Sequence, residues 1–293
     1  MSNFKAVSLC VPLLLGFFFC LSCATGEPPQ PPVPPQAPGV SLAFDRVEAE
    51  EPGRLSLHFL LSVENLRSSG ARIRLREWRA LLNGGAPEEG VFLDFEPQDT
   101  LLAAHASRTF PVRLDLVLAD IPGSGTLKQE EYRAGLSLDL GFIFDSGESL
   151  RVLASAEALF PPIREPEFII TAIAVKKAEL INTRFKVNLR VENPNYFPVE
   201  LSALNYELYG GGRFWADGQE QDILYIPPGG AAETELFLVM NFINMRRDLL
   251  DQVIALKQVR YRFTGEATVS TGIHYLPRFR THFDRSGNSV VIE

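Results

Sequence analysis

Hydrophobic and polar residues alternate along much of this chain with a period of two, the pattern of a half-buried β-strand. The clearest run places Val187, Leu189 and Val191 on one face and Lys186, Asn188 and Arg190 on the other. Similar runs predict strands near residues 167–175, 184–192, 199–209, 213–218, 232–242, 258–270 and 273–283. One stretch, Met245–Lys257, instead has the apolar spacing of a short amphipathic helix. The pattern therefore predicts an all-β fold with one short helix.

The strand that ends near Val191 runs into a sharp corner. Pro194 has no N–H and disfavours a helical conformation at the residue before it, while an asparagine can hydrogen-bond its own backbone. After a second proline, an apolar-rich segment continues to a glycine turn. We predict a strand, a stiff corner, a second strand and a tight turn, with these structural residues: Asn193, Pro194, Asn195, Pro198, Gly210 and Gly211.

Part of this pattern occurs a second time, about 128 residues earlier in the chain. Val63-Glu64-Asn65 matches Val191-Glu192-Asn193, and Gly84-Gly85 follows it as Gly210-Gly211 follows the later copy. A proline-containing segment, residues 161–166, separates the two parts. We therefore predict two tandem antiparallel, immunoglobulin-like β-sandwich domains, at residues 40–160 and 165–293.

The earlier copy lacks the prolines of the corner. It keeps Asn65 but continues Leu66-Arg67-Ser68-Ser69-Gly70. We interpret it as a degenerate copy and expect changes at Asn65 and Leu66 to cost less stability than changes at Asn193 and Pro194.

The N-terminus has the pattern of an export signal. Lys5 precedes an apolar run from Ala6 to Leu21, and the run ends in Ser22-Cys23. A small residue before a cysteine at this place resembles a bacterial lipobox, which predicts a signal peptide over residues 1–22 and lipidation of Cys23. The alternative is an uncleaved membrane anchor, because about 19 apolar residues can just span a bilayer. Both interpretations place the remaining chain outside the cytoplasm and tether it to a membrane.

A proline-rich segment follows the anchor. Residues 24–39 contain seven prolines, as expected for an extended polyproline-II spacer that reaches roughly 50 Å. A ligand for a proline-recognising domain would have a similar composition. We interpret residues 23–39 as the lipidated cysteine and a linker that holds the folded part away from the membrane.

Charge and cysteine usage exclude several classes of function. The net charge of −8 argues against a nucleic-acid partner. All three cysteines, Cys10, Cys20 and Cys23, lie within the N-terminal segment, so the folded part can contain neither a disulfide nor a thiolate metal site. Its stability should therefore not depend on redox conditions.

Motifs of catalysis or cofactor binding are absent from the sequence. The four histidines (His58, His105, His274 and His282) form no metal-ligating cluster, and there is no nucleophile elbow, P-loop or Rossmann glycine pattern. We predict no enzyme activity, no cofactor, no metal and no catalytic residue.

One strand carries a row of arginines. Alternation places Arg72, Arg74 and Arg76 on one face, with Ile73 and Leu75 on the other. This row could contact anionic lipid, at about 1 kcal/mol for each basic residue near an anionic surface. It could equally be the charged face or guarded edge of a half-exposed sheet.

Together, the Asn193-Pro194-Asn195 corner, the aromatic and proline at Phe197-Pro198, the strand to Tyr209 and the Gly210-Gly211-Gly212 turn resemble a known family. This is the late embryogenesis abundant type 2 group, also called the water stress and hypersensitive response domain. The resemblance covers nearly all of the second part. It implies a seven-stranded β-sandwich with a helix and a non-enzymatic role in desiccation or other stress, found in plants, archaea and bacterial lipoproteins.

The functional hypothesis is an exported lipoprotein of the bacterial cell envelope, on the inner or outer membrane, that acts without catalysis in stress protection or envelope interactions. Its expected partners are the membrane, through the lipid anchor, and envelope proteins or lipids. The alternative is a carrier or docking module that binds a lipid, an apolar ligand or a partner protein in a groove of the β-sandwiches.

Overall fold

The computed structural model describes residues 36–85, 90–95, 99–118, 131–177, 183–240 and 258–292. Their regular structure consists of strands, with no helix in these ranges. In chain order the strands are β1 (Gly39–Glu51), β2 (Arg54–Glu64), β3 (Ala71–Leu82), β4 (Val91–Phe95), β5 (Thr100–Leu102), β6 (Ser107–Val117), β7 (Tyr132–Phe144), β8 (Ser149–Phe160), β9 (Glu167–Lys177), β10 (Thr183–Glu192), β11 (Val199–Gly210), β12 (Arg213–Glu220), β13 (Leu224–Ile226), β14 (Ala231–Met240), β15 (Gln258–Ser270) and β16 (Arg278–Ile292). The all-β fold class is confirmed. The predicted helix Met245–Lys257 lies outside the described residues.

The first half of the chain forms two antiparallel four-stranded sheets, in the orders β1-β2-β6-β4 and β5-β3-β7-β8. The two-residue alternation of β2 places one face of the strand in the core, where Leu57, Leu61 and Val63 are fully buried. On β7, Leu136, Leu138 and Leu140 are buried in the same way. Each sheet thus buries the apolar face that its sequence alternation specifies.

The strands of the second half pair in the order β12-β11-β15-β16-β9-β10-β14, with β13 beside β11. They form two groups, β12-β11-β15-β16 and β9-β10-β14, which meet where the end of β16 pairs with β9. The ladders are antiparallel except for a short parallel contact, in which Val291 and Ile292 of β16 pair with Ile173 and Ala174 of β9. Within the described ranges, no ladder joins a strand of the first half to one of the second. The number of domains and their bounds remain predictions.

Most predicted strands of the second half lie within a few residues of the observed ones, but the last one begins later. We predicted it at 273–283, and β16 runs over Arg278–Ile292. The reason is a turn around Thr271, whose hydroxyl accepts from the Ile273 N–H (3.0 Å) and donates to the Leu276 carbonyl (2.6 Å). The Thr271 N–H also bonds the Pro277 carbonyl at 3.1 Å, which closes the turn.

Candidate functional site

The corner after β10 is organised by a buried asparagine, Asn193. Its Nδ2 donates to the carbonyls of Phe197 (2.8 Å) and Pro227 (3.1 Å), and its Oδ1 accepts from the Asn195 N–H (3.0 Å). Its own N–H donates to the Gly230 carbonyl at 2.8 Å. One side chain therefore holds the corner closed and ties it to the loop before β14, residues 227–230.

The second asparagine of the corner binds a different segment. Asn195 is also buried, and its Oδ1 accepts from the Arg164 N–H (2.8 Å) while its Nδ2 donates to the Arg164 carbonyl (2.9 Å). Nδ2 also donates to Oδ1 of Asn193 at 2.9 Å. The side-chain amide thus pairs with the backbone of the segment that leads into β9.

Two more side chains hold this segment. The Thr281 hydroxyl donates to the Glu165 carboxylate at 3.0 Å, and the Tyr275 hydroxyl donates to the Pro161 carbonyl. Burial raises the pKa of the Tyr275 hydroxyl above its ordinary value, so the group remains a proton donor at any physiological pH. Residues 161–165 are consequently bound at three points by the second half.

The corner asparagine of the first half makes bonds equivalent to the backbone bonds of Asn193, without the prolines. The buried Asn65 donates from Nδ2 to the carbonyls of Ser69 (2.8 Å) and Ala103 (2.9 Å), and its Oδ1 accepts from the Arg67 N–H (3.1 Å). Its N–H donates to the Ala106 carbonyl at 2.8 Å. The absence of the prolines therefore does not remove the hydrogen bonds of this corner.

The loop that faces each corner also matches in detail. The His105 N–H bonds the Arg67 carbonyl (3.1 Å), as the Gly229 N–H bonds the Asn195 carbonyl (2.7 Å). Both residues have left-handed backbone, with φ of 55° for His105 and 57° for Gly229. Glycine adopts this conformation without strain, whereas a histidine pays about 1–2 kcal/mol. His105 thus has a structural role that sequence reasoning did not find.

Arg67 follows the corner asparagine Asn65 at the same spacing as Asn195 follows Asn193. Its Nε donates to the Gln36 carbonyl (2.9 Å), in the segment before β1, as Asn195 bonds Arg164 before β9. Its guanidinium also pairs with the Glu148 carboxylate (2.6 Å) and lies over the Phe144 ring, 3.9 Å from the centroid. The hydrogen bond from Arg67 lowers the pKa of Glu148. Sequence reasoning missed this residue because nothing in the local sequence distinguishes it from the other arginines of the chain.

The glycines of the predicted turn after β11 are required for two different reasons. Gly211 and Gly212 have φ of 57° and 80°, as a tight turn requires. Gly210 is the last residue of β11, and a Cβ there would be 1.8 Å from the Trp215 ring. Gly210 is therefore needed for packing and Gly211 for backbone conformation.

Within the described ranges, no three His, Cys, Asp or Glu side chains are placed to hold a metal ion. His58 lies 3.1 Å from Glu48 and His282 lies 4.0 Å from Glu266, both as exposed pairs. Cys23, the predicted lipidation site, lies outside the described residues.

Two cavities among the described residues have both charged and apolar groups in their walls. One of about 940 Å³ lies over β1, β2 and β6. Its wall includes His58 and these charged side chains: Glu48, Glu50, Glu51, Arg54, Arg113 and Asp115. Another of about 650 Å³ is lined by Glu200, Arg278, Thr271 and Tyr225, among others. No helix in the described part of the chain is long and apolar enough to cross a membrane.

Comparison with known proteins supports a family for one region. Residues 188–286 match the family model of late embryogenesis abundant protein, and this region includes Asn193, Asn195 and the glycine turn. A comparison with curated proteins gives no match. The family assignment therefore applies to this region of the second half.

Solved structures give low overall similarity. A protein from Archaeoglobus fulgidus is 16% identical with a TM-score of 0.27, covering 44% of this chain and 96% of its own. The periplasmic chaperone SfaE is 13% identical (TM-score 0.25; 87% of this chain, 99% of its own). The CupB2 chaperone of Pseudomonas aeruginosa is 12% identical (TM-score 0.21; 80% and 92%). Similarities this low support no functional argument.

Proposed function

We propose that this chain is an exported lipoprotein, anchored through Cys23, that protects the cell envelope during desiccation or related stress without catalysing a reaction. The observation that carries the proposal is the match of residues 188–286 to the late embryogenesis abundant family. The corner residues act structurally in this proposal: they bond backbone groups and present no nucleophile or base to a substrate.

The proposal includes two domains of the same kind. The equivalent bonds of Asn65 and Asn193, and the equivalent backbone of His105 and Gly229, support a duplication that extends beyond the shared sequence motif. In this view the first domain has lost the prolines and kept the geometry that they stabilise.

Drying and rehydration test the proposed protection. Purified full-length chain should preserve a labile enzyme better than an equal mass of an unrelated acidic β-sandwich protein, because any soluble charged protein gives some protection by coating surfaces. Cells that lack the gene should survive drying less well, and the Cys23→Ser chain should restore survival only in part. Protection no better than the control, together with unchanged survival, would overturn the proposal.

The carrier alternative makes a different prediction. A carrier needs a mostly apolar pocket. The cavity over β1, β2 and β6 has many charged side chains in its wall, whereas the second cavity combines Glu200 and Arg278 with apolar groups such as Pro198 and Pro277. Saturable uptake of a fluorescent fatty acyl probe, without protection of the labile enzyme, would replace the stress proposal with the carrier.

A further inference from the structure

The outer face of sheet β5-β3-β7-β8 carries six exposed arginines, although the chain as a whole has a net charge of −8. Because side chains of paired residues in adjacent strands lie on the same face, the register places these groups together. We call this surface the arginine face. Its arginines are Arg72, Arg74, Arg76, Arg79, Arg133 and Arg151.

Two of these charges are not neutralised by an ion pair. Four arginines have a carboxylate partner: Arg74 with Asp99 (2.9 Å), Arg79 with Glu77 (3.9 Å), Arg133 with Glu157 (3.8 Å), and Arg151 with Asp139. Arg72 and Arg76 have no ion-pair partner among the residues that the structure describes. The pKa of Asp139 is lowered chiefly by its hydrogen bond from Arg151, and the positive charge of Arg76 lowers it by a smaller amount.

Exposed aliphatic side chains lie between the arginines. Arg72 is the register partner of Leu101 on one side and Ile143 on the other, and Leu101 is 61% exposed. Leu153, opposite Asp139, is 71% exposed. Single exposed leucines and solvated guanidinium groups are common on protein surfaces, but here they lie together. Apolar area beside positive charge suits a partner that offers both apolar and anionic groups.

The fold itself does not require arginines on this face. Strand β11 of the second half corresponds to β3 of the first half, since each follows a corner asparagine. When positions are counted from that asparagine, Glu200 corresponds to Arg72 and Glu207 corresponds to Arg79. Both Glu200 and Tyr225, its partner on β13, are exposed, as are Arg72 and Leu101. Because the same strand geometry is built with acidic residues in the second half, the positive charge of the first half is not needed for the architecture.

We propose that the arginine face docks onto the surface of an anionic lipid bilayer. The guanidinium groups of Arg72 and Arg76 bind lipid phosphates, for which their planar donors are well suited, and Leu101 and Leu153 enter the interfacial layer. The inference rests on the membrane attachment of the proposed function, but not on any protective activity. It assigns one side of the first half to the membrane.

The test uses full-length chain in lipid vesicles, with one cysteine introduced as a reporter. Leu153→Cys lies on the arginine face, and Phe237→Cys on β14 is a matched control because Phe237 is 67% exposed on the other half. The rate of labelling by a membrane-impermeant maleimide is compared in neutral phosphatidylcholine and in vesicles with about 30% phosphatidylglycerol. Chain without an added cysteine gives the background from Cys10, Cys20 and Cys23.

We expect labelling of Leu153→Cys to slow in anionic vesicles, while labelling of Phe237→Cys does not change. Each unpaired arginine should shift the docking equilibrium by about fivefold. Arg72→Gln with Arg76→Gln should therefore restore most of the labelling, as should about 0.5 M salt, which screens the attraction.

Three outcomes would overturn the proposal. In the first, Leu153→Cys labels equally fast in both vesicle types. In the second, its protection persists in the double glutamine variant, which would show that the arginines do not cause it. In the third, protection occurs in whole cell membranes but not in vesicles, which would assign the face to a protein partner. Flotation of the same samples reports attachment separately, so loss of the anchor and loss of face docking can be distinguished.

Discussion

Asn195 holds the backbone of Arg164 through two hydrogen bonds of 2.8 and 2.9 Å, although the two residues lie in different segments of the chain. The side-chain amide offers one donor and one acceptor in a plane, as a neighbouring strand would. The second asparagine of the corner therefore anchors the segment that leads into β9.

Asn195→Ala should lower the free energy of unfolding by about 1–3 kcal/mol, because two backbone groups of Arg164 lose their partner. Hydrogen exchange at the Arg164 amide should become faster. Asn205→Ala is the control, since Asn205 makes only a long contact of 3.4 Å with Glu266. An unchanged Arg164 amide in the Asn195 variant would show that the bond does not hold this segment.

Asn65→Ala and Asn193→Ala should cost similar amounts, about 1–3 kcal/mol each, because each side chain makes equivalent bonds to three backbone groups. This differs from the expectation that the proline-free corner contributes less. Each half contains one tryptophan, so chemical denaturation can be followed by Trp78 or Trp215 fluorescence after the other is changed to Phe. A loss at Asn65 much smaller than at Asn193 would restore the sequence-based expectation.

Gly210→Ala should destabilise the second half more than Gly212→Ala. The added methyl at Gly210 would overlap the Trp215 ring, whereas at Gly212 it meets no atom within 4 Å and costs only the positive φ. We expect about 1–3 kcal/mol for overpacking at Gly210 and about 1 kcal/mol at Gly212. Thermal unfolding measures both, and Trp215→Phe should recover part of the loss in the Gly210→Ala background but not in the other.

The Arg67–Glu148 pair should make stability depend on pH. The hydrogen bond from Arg67 lowers the pKa of Glu148 below its ordinary 4.5 in the folded state. The contribution of this ion pair to the free energy of unfolding is therefore complete above pH 4.5, the ordinary pKa. It is lost as the pH falls through the lowered pKa of the folded state. Glu148→Gln should be less stable than the parent at neutral pH and equally stable in strong acid. A difference that persists unchanged at low pH would mean that packing, not charge, causes it; Glu157→Gln is the exposed control.

Cys23→Ser should abolish incorporation of labelled fatty acid and stop normal processing of the chain, while Cys20→Ser should leave lipidation intact. The reason is that lipidation requires the cysteine that follows the small residue at the end of the apolar run. Metabolic labelling of both variants in the host cell measures this. Label that persists on the Cys23 variant would disprove the lipoprotein prediction.

The sequence alone determined the strands and the corner, because both arise from local physics. Two-residue alternation sorts side chains such as Val187 and Leu189 to one face of a strand, and Asn193-Pro194 restricts the backbone at once. These effects act within a few residues, so they can be recognised before the chain folds. The late start of β16 was missed because Thr271 bonds groups up to six residues ahead.

Only the tertiary structure decided which residues the corners hold. Asn195 meets Arg164, and Arg67 meets both Gln36 and Glu148, across distances in sequence that no local pattern encodes. The composition of the arginine face was also decided by the tertiary structure. Because β3 pairs with β5 and β7, and β7 pairs with β8, Leu101 and Leu153 lie on the same face as Arg72 and Arg76. Strand register depends on the burial of whole sheets, and the residues that share an outer face follow from that register.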